Sequence, residues 1–189
     1  MFLILAGSGT VMLVALFAMI IGQAVPEWPA KPPEMWVQGG PLTLAGLRGR
    51  VVLLRFFMDS DCPYCNATAP SLNEFHDAFA EQGLVVLGMY TPKPRPRKVT
   101  AGEVRGTVKS YGFVFPVAID ADWSALHKLW LDRVPEAEFT SATLLIDRRG
   151  VLRHVQKGGA YAKGAKDPQA RADYREMREA IVALLAEPQ

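Results

Sequence analysis

The sequence predicts a layered α/β domain behind an apolar N-terminal segment of membrane-spanning length, within a chain of 189 residues. Two observations carry this. From Gly39 onward, strand-like runs alternate with helix-like stretches, the pattern of a layered α/β domain. Met1 to Ala24 contains no charged residue, and at about 1.5 Å per residue a helix of that length crosses the roughly 30 Å hydrocarbon core of a bilayer. Single domains usually run to roughly 100 to 150 residues, so one core plus an appendage accounts for the length. Composition, 50% hydrophobic and 21% charged, is that of a globular protein and excludes wholesale disorder. Lys and Arg (21) nearly balance Asp and Glu (19), and no basic stripe with interleaved aromatics is present, so nucleic acid is not an expected partner.

Residues 1–24 read as a transmembrane anchor. A cleaved secretory signal is the competing reading, because Gly22-Gln23-Ala24 has the form of a small-residue cleavage site. The apolar run exceeds the roughly 7 to 15 residues of a signal core, and a positive leading region is missing. Both readings export the remainder. Residues 25–35, with Pro26, Pro29, Pro32 and Pro33, favour extended backbone and read as a semi-stiff linker holding the domain off the membrane. Trp28 and Trp36 suit the lipid headgroup level, with packing on the domain as the alternative for both. Residues 36–189 form the domain.

Val51 to Met58 is a continuous apolar run broken only by Arg55, as expected of a central strand covered on both faces. It leads into Cys62-Pro63-Tyr64-Cys65. Asn66 to Gln82 carries Leu72, Phe75, Phe79 and Ala80 at helical spacing, with Gly83 as the stop. Leu84 to Tyr90 is a second buried strand. The basic stretch Lys93 to Lys98 is interrupted by prolines and reads as a solvated loop. Val104 to Tyr111 is a predicted helix, Phe115 to Ile119 a short strand, and Trp123 to Trp130 another helix. Ala142 to Asp147 and Val151 to Gln156 flank Arg148-Arg149-Gly150 as a β-hairpin. A last helix spans Ala170 to Ala186, with Tyr174, Met177, Ile181, Leu184 and Leu185 on one face.

The chain has two cysteines, two residues apart, after a strand and at the start of a helix. Half of a zinc site has this form, but His76, His127 and His154 are the only other soft ligands and none has paired-ligand spacing. A helix N-terminus supplies free N–H groups and partial positive charge that stabilise a thiolate, the nucleophile of disulfide exchange. Pro63 suits the first helical turn. Cys62 is therefore expected as the exposed attacking thiol and Cys65, one turn in, as the buried resolving thiol.

Several motifs then fall in order: Pro41-Leu42-Thr43-Leu44, Leu47-Arg48-Gly49-Arg50-Val51-Val52-Leu53-Leu54, Cys62-Pro63-Tyr64-Cys65 followed by Ala69-Pro70, and Thr143-Leu144-Leu145-Ile146-Asp147-Arg148-Arg149-Gly150. Over about residues 36 to 187 the chain resembles the redoxin, or TlpA-like (ResA-like), branch of the thioredoxin superfamily. The resemblance implies a thioredoxin-like fold, with a central mixed β-sheet flanked by helices. It also implies thiol-disulfide exchange with oxidised protein partners outside the cytoplasm, from the bacterial inner membrane with the domain facing the periplasm, or as a secreted protein if the leader is cleaved. Such a site needs a membrane-bound electron donor for re-reduction and no cofactor or metal beyond the Cys62–Cys65 pair.

Departures from the family pattern mark the surroundings of the pair. The cis-proline that members place opposite the cysteines corresponds to Ser141, in Thr140-Ser141-Ala142, where a cis bond would cost about 3 kcal/mol and trans is expected. The position before the first cysteine, commonly Trp, is Asp61. The position three after the second, often Glu, is Thr68. Phe56 stands where thioredoxin has a buried Asp, so the resolving thiol lacks its usual carboxylate. Asp59 and Asp61 would oppose a developing thiolate; capping and solubility are the simpler roles, chiefly for Asp59. Asp61, Pro63, Tyr64, Thr140 and Ser141 are thus the expected active-site neighbours.

Two other functions share the fold. A peroxiredoxin-like peroxidase tolerates Ser141, but usually carries Thr or Ser three residues before its reactive cysteine, where Asp59 stands. A copper-binding, chaperone-like domain would add a distal histidine, for which His154 is the candidate, although such proteins usually space their cysteines by three residues. Thr91 to Thr100 follows a strand end, where binding loops often lie, and is otherwise an exposed loop.

Overall fold

Residues 20–135, 137 and 139–188 are described by the computed structural model. Six strands, β1 (Trp36–Gln38), β2 (Val51–Phe57), β3 (Leu84–Tyr90), β4 (Val117–Ile119), β5 (Thr143–Ile146) and β6 (Leu152–Gln156), form one sheet in the order β1-β4-β3-β2-β5-β6. β2, β3 and β4 run parallel, whereas β1, β5 and β6 join antiparallel, which gives the expected mixed sheet. The helices are α1 (Pro63–Phe79), α2 (Ala101–Ser110), a short α3 (Ser124–Leu126) that continues as a π-turn (His127–Leu131), and α4 (Pro168–Ala186).

β2 is buried along its whole length because both sheet faces are covered. Its side chains alternate: Val51, Leu53 and Phe57 join the cluster beneath α1, α2 and α4, and Val52, Leu54 and Phe56 join a second cluster with α3 and the π-turn. Helix starts fall two or three residues earlier than the apolar spacing predicts, because caps set them. Thr100 and Glu103 form a reciprocal capping box at α2. At α4 the Asp167 carboxylate accepts the N–H groups of Gln169 and Ala170, with Pro168 in the first turn. The helix predicted from Trp123 to Trp130 is present one residue later, as α3 running on into the π-turn that ends at Leu131. Trp123 adopts left-handed backbone at φ 61, and only Ser124–Leu126 is α-helical.

The β5–β6 hairpin turns at Gly150, whose φ of 77 lies in the left-handed region. A side chain there would also overlap the guanidinium of Arg48, which donates to the Arg149 carbonyl.

The proline-rich stretch read from the sequence as a spacer packs on the domain. Gly22 N–H donates to the Leu152 carbonyl at 2.7 Å, Leu152 N–H to the Gln23 carbonyl at 2.9 Å, and Val25 N–H to the Gly150 carbonyl at 2.9 Å. Ala24 thereby forms a bridge with Val151. Ile20, Val25 and Trp28 are buried in the second cluster, and Trp28 Nε1–H donates to the Leu42 carbonyl at 3.1 Å. The Glu27 carboxylate accepts the N–H groups of Leu44 and Ala45 at 2.7 and 2.8 Å, and the Lys31 ammonium meets Asp120 Oδ1 at 2.6 Å. Trp28, at 2% exposure, is a core residue and not a headgroup anchor. The physical reason is coverage: among the described residues the second sheet face carries the short α3 with its π-turn, and the strap buries what they leave open. The predicted transmembrane or signal segment lies outside the described residues over positions 1–19; among those described, no helix is long and apolar enough to cross a membrane.

Candidate functional site

Helix α1 begins at the sulfur pair. Cys62 is its N-cap, extended at φ −75 and ψ 108, and its Sγ accepts the N–H of Cys65 at 3.1 Å. Pro63 occupies the first turn, where a missing N–H costs nothing. One turn of helix brings Cys65 back to Cys62 with Cα atoms 5.3 Å apart, and the two sulfurs are joined as a disulfide. Cys62 is 9% exposed and Cys65 3%, so the expected order of accessibility is present, although Cys62 is more enclosed than an exposed thiol. Tyr64, 49% exposed, and Pro63 stand at the mouth.

The loop from β2 into the site is held from four sides. Cys62 N–H donates to the Asp59 carbonyl at 3.0 Å, and the Tyr111 hydroxyl to the same carbonyl at 2.8 Å. Asn66 Nδ2 donates to the Ser60 carbonyl at 2.6 Å. The Tyr90 hydroxyl donates to Asp59 Oδ1 at 2.6 Å, with Arg97 3.9 Å from Oδ2. Asp59 is therefore a loop clamp, and capping belongs to Cys62. Burial and the Asp59 carboxylate push the Tyr90 hydroxyl well above its ordinary range. Burial, Asp59 and Asp61 push that of Tyr111 up to about 12. Both phenols stay protonated and remain donors. Asp61 is exposed. Sequence reasoning missed Tyr90, Tyr111 and Asn66, since nothing local shows that two tyrosines from separate elements converge on this loop. The β2–β3 register sets Tyr90 beside Phe57, and the end of α2 brings Tyr111 to the same loop.

Beneath the first turns of α1 lies a second polar group that the sequence did not assign. Thr68 Oγ1 accepts the N–H of Tyr161 at 3.3 Å, and the Ser71 hydroxyl donates to the Tyr161 carbonyl at 3.1 Å. The Tyr161 ring lies 5.6 Å from the Arg55 guanidinium carbon. Arg55, 1% exposed, donates from Nη1 to Thr143 Oγ1 at 3.0 Å and Gln156 Oε1 at 3.1 Å, and from Nη2 to the Gly159 carbonyl at 3.3 Å.

Thr140 and Ser141 enter β5 alongside the end of β2, where Phe56 N–H donates to the Ala142 carbonyl at 3.0 Å. Ser141 is buried at 4% exposure. Among the described residues the cis peptides are Gly40–Pro41 and Lys93–Pro94, so the Thr140–Ser141 bond is trans as expected. Lys93 to Lys98 is exposed.

His154 sits on the outer strand β6, opposite Leu145, with Nδ1 3.6 Å from Glu176 of α4. It is not brought to the cysteines, and among the described residues no group of three or more His, Cys, Asp or Glu is placed to hold a metal ion. Burial lowers its pKa against the opposing pull of Glu176 and Asp173. A histidine whose folded-state value lies below its unfolded value of about 6.5 costs stability as pH falls through that window. We predict that urea denaturation shows wild type losing stability more steeply than His154→Gln between about pH 7 and 5. Parallel curves would overturn this.

Residues 21–155 match the model of a family described as the AhpC/TSA family. The protein DipZ of Mycobacterium tuberculosis is 30% identical over 118 residues, which is 62% of this chain and 16% of DipZ. The chain thus spans only a small part of DipZ. The thiol-disulfide oxidoreductase YkuV of Bacillus subtilis is 28% identical over 145 residues, 77% of this chain and 90% of YkuV. A solved thioredoxin-like superfamily protein superposes with a TM-score of 0.64 at 26% identity, covering 87% of this chain and 97% of its own. The fold is thioredoxin-like.

Proposed function

Because the chain belongs to the AhpC/TSA family, we propose that it is a thiol-disulfide oxidoreductase that exchanges electrons with protein disulfides through Cys62 and Cys65, outside the cytoplasm. The observation that carries this reading is the Cys62–Cys65 disulfide at the N-terminus of α1, with the Cys62 sulfur accepting a helix N–H. A sulfur so placed is an N-cap, and its charge as a thiolate falls where the helix N–H groups and dipole favour an anion.

In the forward direction the Cys62 thiolate attacks one sulfur of a partner disulfide. That bond breaks, a mixed disulfide forms, and the partner's other sulfur leaves as a thiolate that takes up a proton. Cys65, deprotonated, then attacks the Cys62 sulfur and expels the second partner sulfur. The partner gains two electrons and two protons, and the Cys62–Cys65 bridge closes. A membrane-bound thiol donor would reopen it. Asp61, Pro63, Tyr64, Thr140 and Ser141 border this exchange, and no cofactor is needed. The charge-free residues 1–24 support a placement at the bacterial inner membrane with the domain on the periplasmic side, or secretion after cleavage.

The test is dithiothreitol-driven reduction of insulin disulfides by the purified protein, run beside a hydrogen peroxide consumption assay. Insulin reduction well above the dithiothreitol background, with no peroxide turnover, is expected. Peroxide turnover without insulin reduction would replace this reading with the peroxidase one, and inactivity in both would sink it.

A further inference from the structure

Among the described residues, Arg55 is a charge without a counter-charge. Its guanidinium keeps its proton in proteins, it is 1% exposed, and its partners are a hydroxyl, an amide oxygen and a backbone carbonyl. No described carboxylate pairs with it, and its Nε–H has no partner at all. A buried cation in neutral surroundings is costly, and burial accordingly pulls its pKa down.

Its position joins it to the site. Strand alternation places Arg55 on the same face of β2 as Leu53 and Phe57, the face covered by α1. The Tyr161 ring over which it lies belongs to the same buried cluster as Cys62 and Cys65. The Tyr161 backbone is bonded to Thr68, three residues beyond Cys65 in α1. Tyr161 thus links the guanidinium to α1 at Thr68, one turn beyond Cys65. Among the described residues, the other titratable groups around the pair are the exposed Tyr64 between the cysteines, Asp59 and Asp61 from the entering loop, Tyr90 of β3, Arg97, Tyr111 at the end of α2, and Tyr161. Tyr90, Tyr111 and Tyr161 are held neutral by burial, and Arg97 is half-exposed and paired with Asp59 and Glu103.

We propose that Arg55 is the buried counter-charge of the reduced site, stabilising the thiolate formed at Cys65 when the bridge opens and thereby making the Cys62–Cys65 pair a stronger oxidant. In the disulfide the sulfurs are neutral and the cation is uncompensated; reduction supplies the missing anion. Charge attraction across a poorly screened interior favours that state. Arg55 touches no reacting atom and acts as a positioning residue for charge. This rests on the oxidoreductase reading and deepens it.

The test is the redox equilibrium with glutathione, in which two glutathione thiols give two electrons to the bridge. The protein S–S bond breaks, that of oxidised glutathione forms, and two protons pass to the cysteines except for the fraction left as thiolate. Arg55→Met is expected to shift this equilibrium about tenfold toward the protein disulfide, about 30 mV, and Arg55→Lys to remain within about threefold of wild type. In a Cys62→Ser background, ultraviolet thiolate absorbance should show Cys65 titrating below the ordinary thiol value of about 8.5 with Arg55 present, and higher in Arg55→Met. An unchanged equilibrium in folded Arg55→Met overturns the proposal. If Arg55→Met does not fold, Cys65 titrating at or above about 8.5 with Arg55 intact overturns it. Wild type failing to exchange with glutathione at all would count against the oxidoreductase reading instead.

Discussion

Cys62→Ser is expected to abolish insulin reduction, lowering the catalysed rate by at least about a hundredfold, because a serine hydroxyl cannot stand in for a thiolate nucleophile. Cys65→Ser should behave differently. Its Cys62 retains the N-cap position and attacks normally, but nothing resolves the product, so turnover stops after one event and a covalent adduct accumulates on Cys62. The difference follows from geometry: Cys62 is the N-cap and the more open of the two sulfurs, whereas Cys65 lies one turn inside α1. The check is electrophoresis without reductant after mixing each variant with a disulfide-bearing protein, followed by mass spectrometry of the adduct. Adducts on Cys65 in the Cys62→Ser protein, at the level seen for Cys62 in the converse variant, would reverse the assigned roles.

Asp120→Ala is expected to destabilise the fold by about 3 to 5 kcal/mol, the range for removing one partner of a buried ion pair. Asp120 is fully buried. It accepts the Lys31 ammonium at 2.6 Å, the N–H groups of Ala125 and Leu126 at 2.9 Å each, and the Ser124 hydroxyl at 3.3 Å. Truncation takes the nearest carboxylate from an ammonium that is 7% exposed, leaving it Asp122 at 3.4 Å and the Ser124 hydroxyl at 3.0 Å, and strands two N–H donors at the start of α3. Lys31→Met should cost distinctly less, since the Asp120 carboxylate keeps its bonds to Ser124, Ala125 and Leu126. Urea titration at unchanged slope reads both. Equal losses in the two variants would mean that the N-terminal strap, and not the α3 bonds, dominates the site's contribution.

The strap also shows where reading a sequence stops. Pro26, Pro29, Pro32 and Pro33 correctly indicate extended backbone with no helix, because proline fixes φ and removes a donor. Whether such a segment floats or packs depends on what it meets. Here it meets an under-covered sheet face, and Trp28 and Ile20 supply apolar area that burial favours. Similarly, apolar spacing places Trp123 in the first turn of the helix that follows, whereas it is the left-handed residue just before that helix. The Asp120 carboxylate instead takes the N–H groups of Ala125 and Leu126 and so sets where the helix begins.

The chain by itself determined the alternation of strands and helices, the Cys62–Pro63–Tyr64–Cys65 cap of α1, the β5–β6 hairpin and the buried β2. All are written in local spacing, capping and turn residues that act over a few positions. Only the tertiary structure decided that the proline-rich stretch joins the core, that Tyr90 and Tyr111 clamp the loop before Cys62, and that Arg55 lies buried beside Tyr161 without an acidic partner among the described residues. Those outcomes come from contacts between residues distant in sequence, whose pairing depends on sheet order and register. No local pattern carries that information.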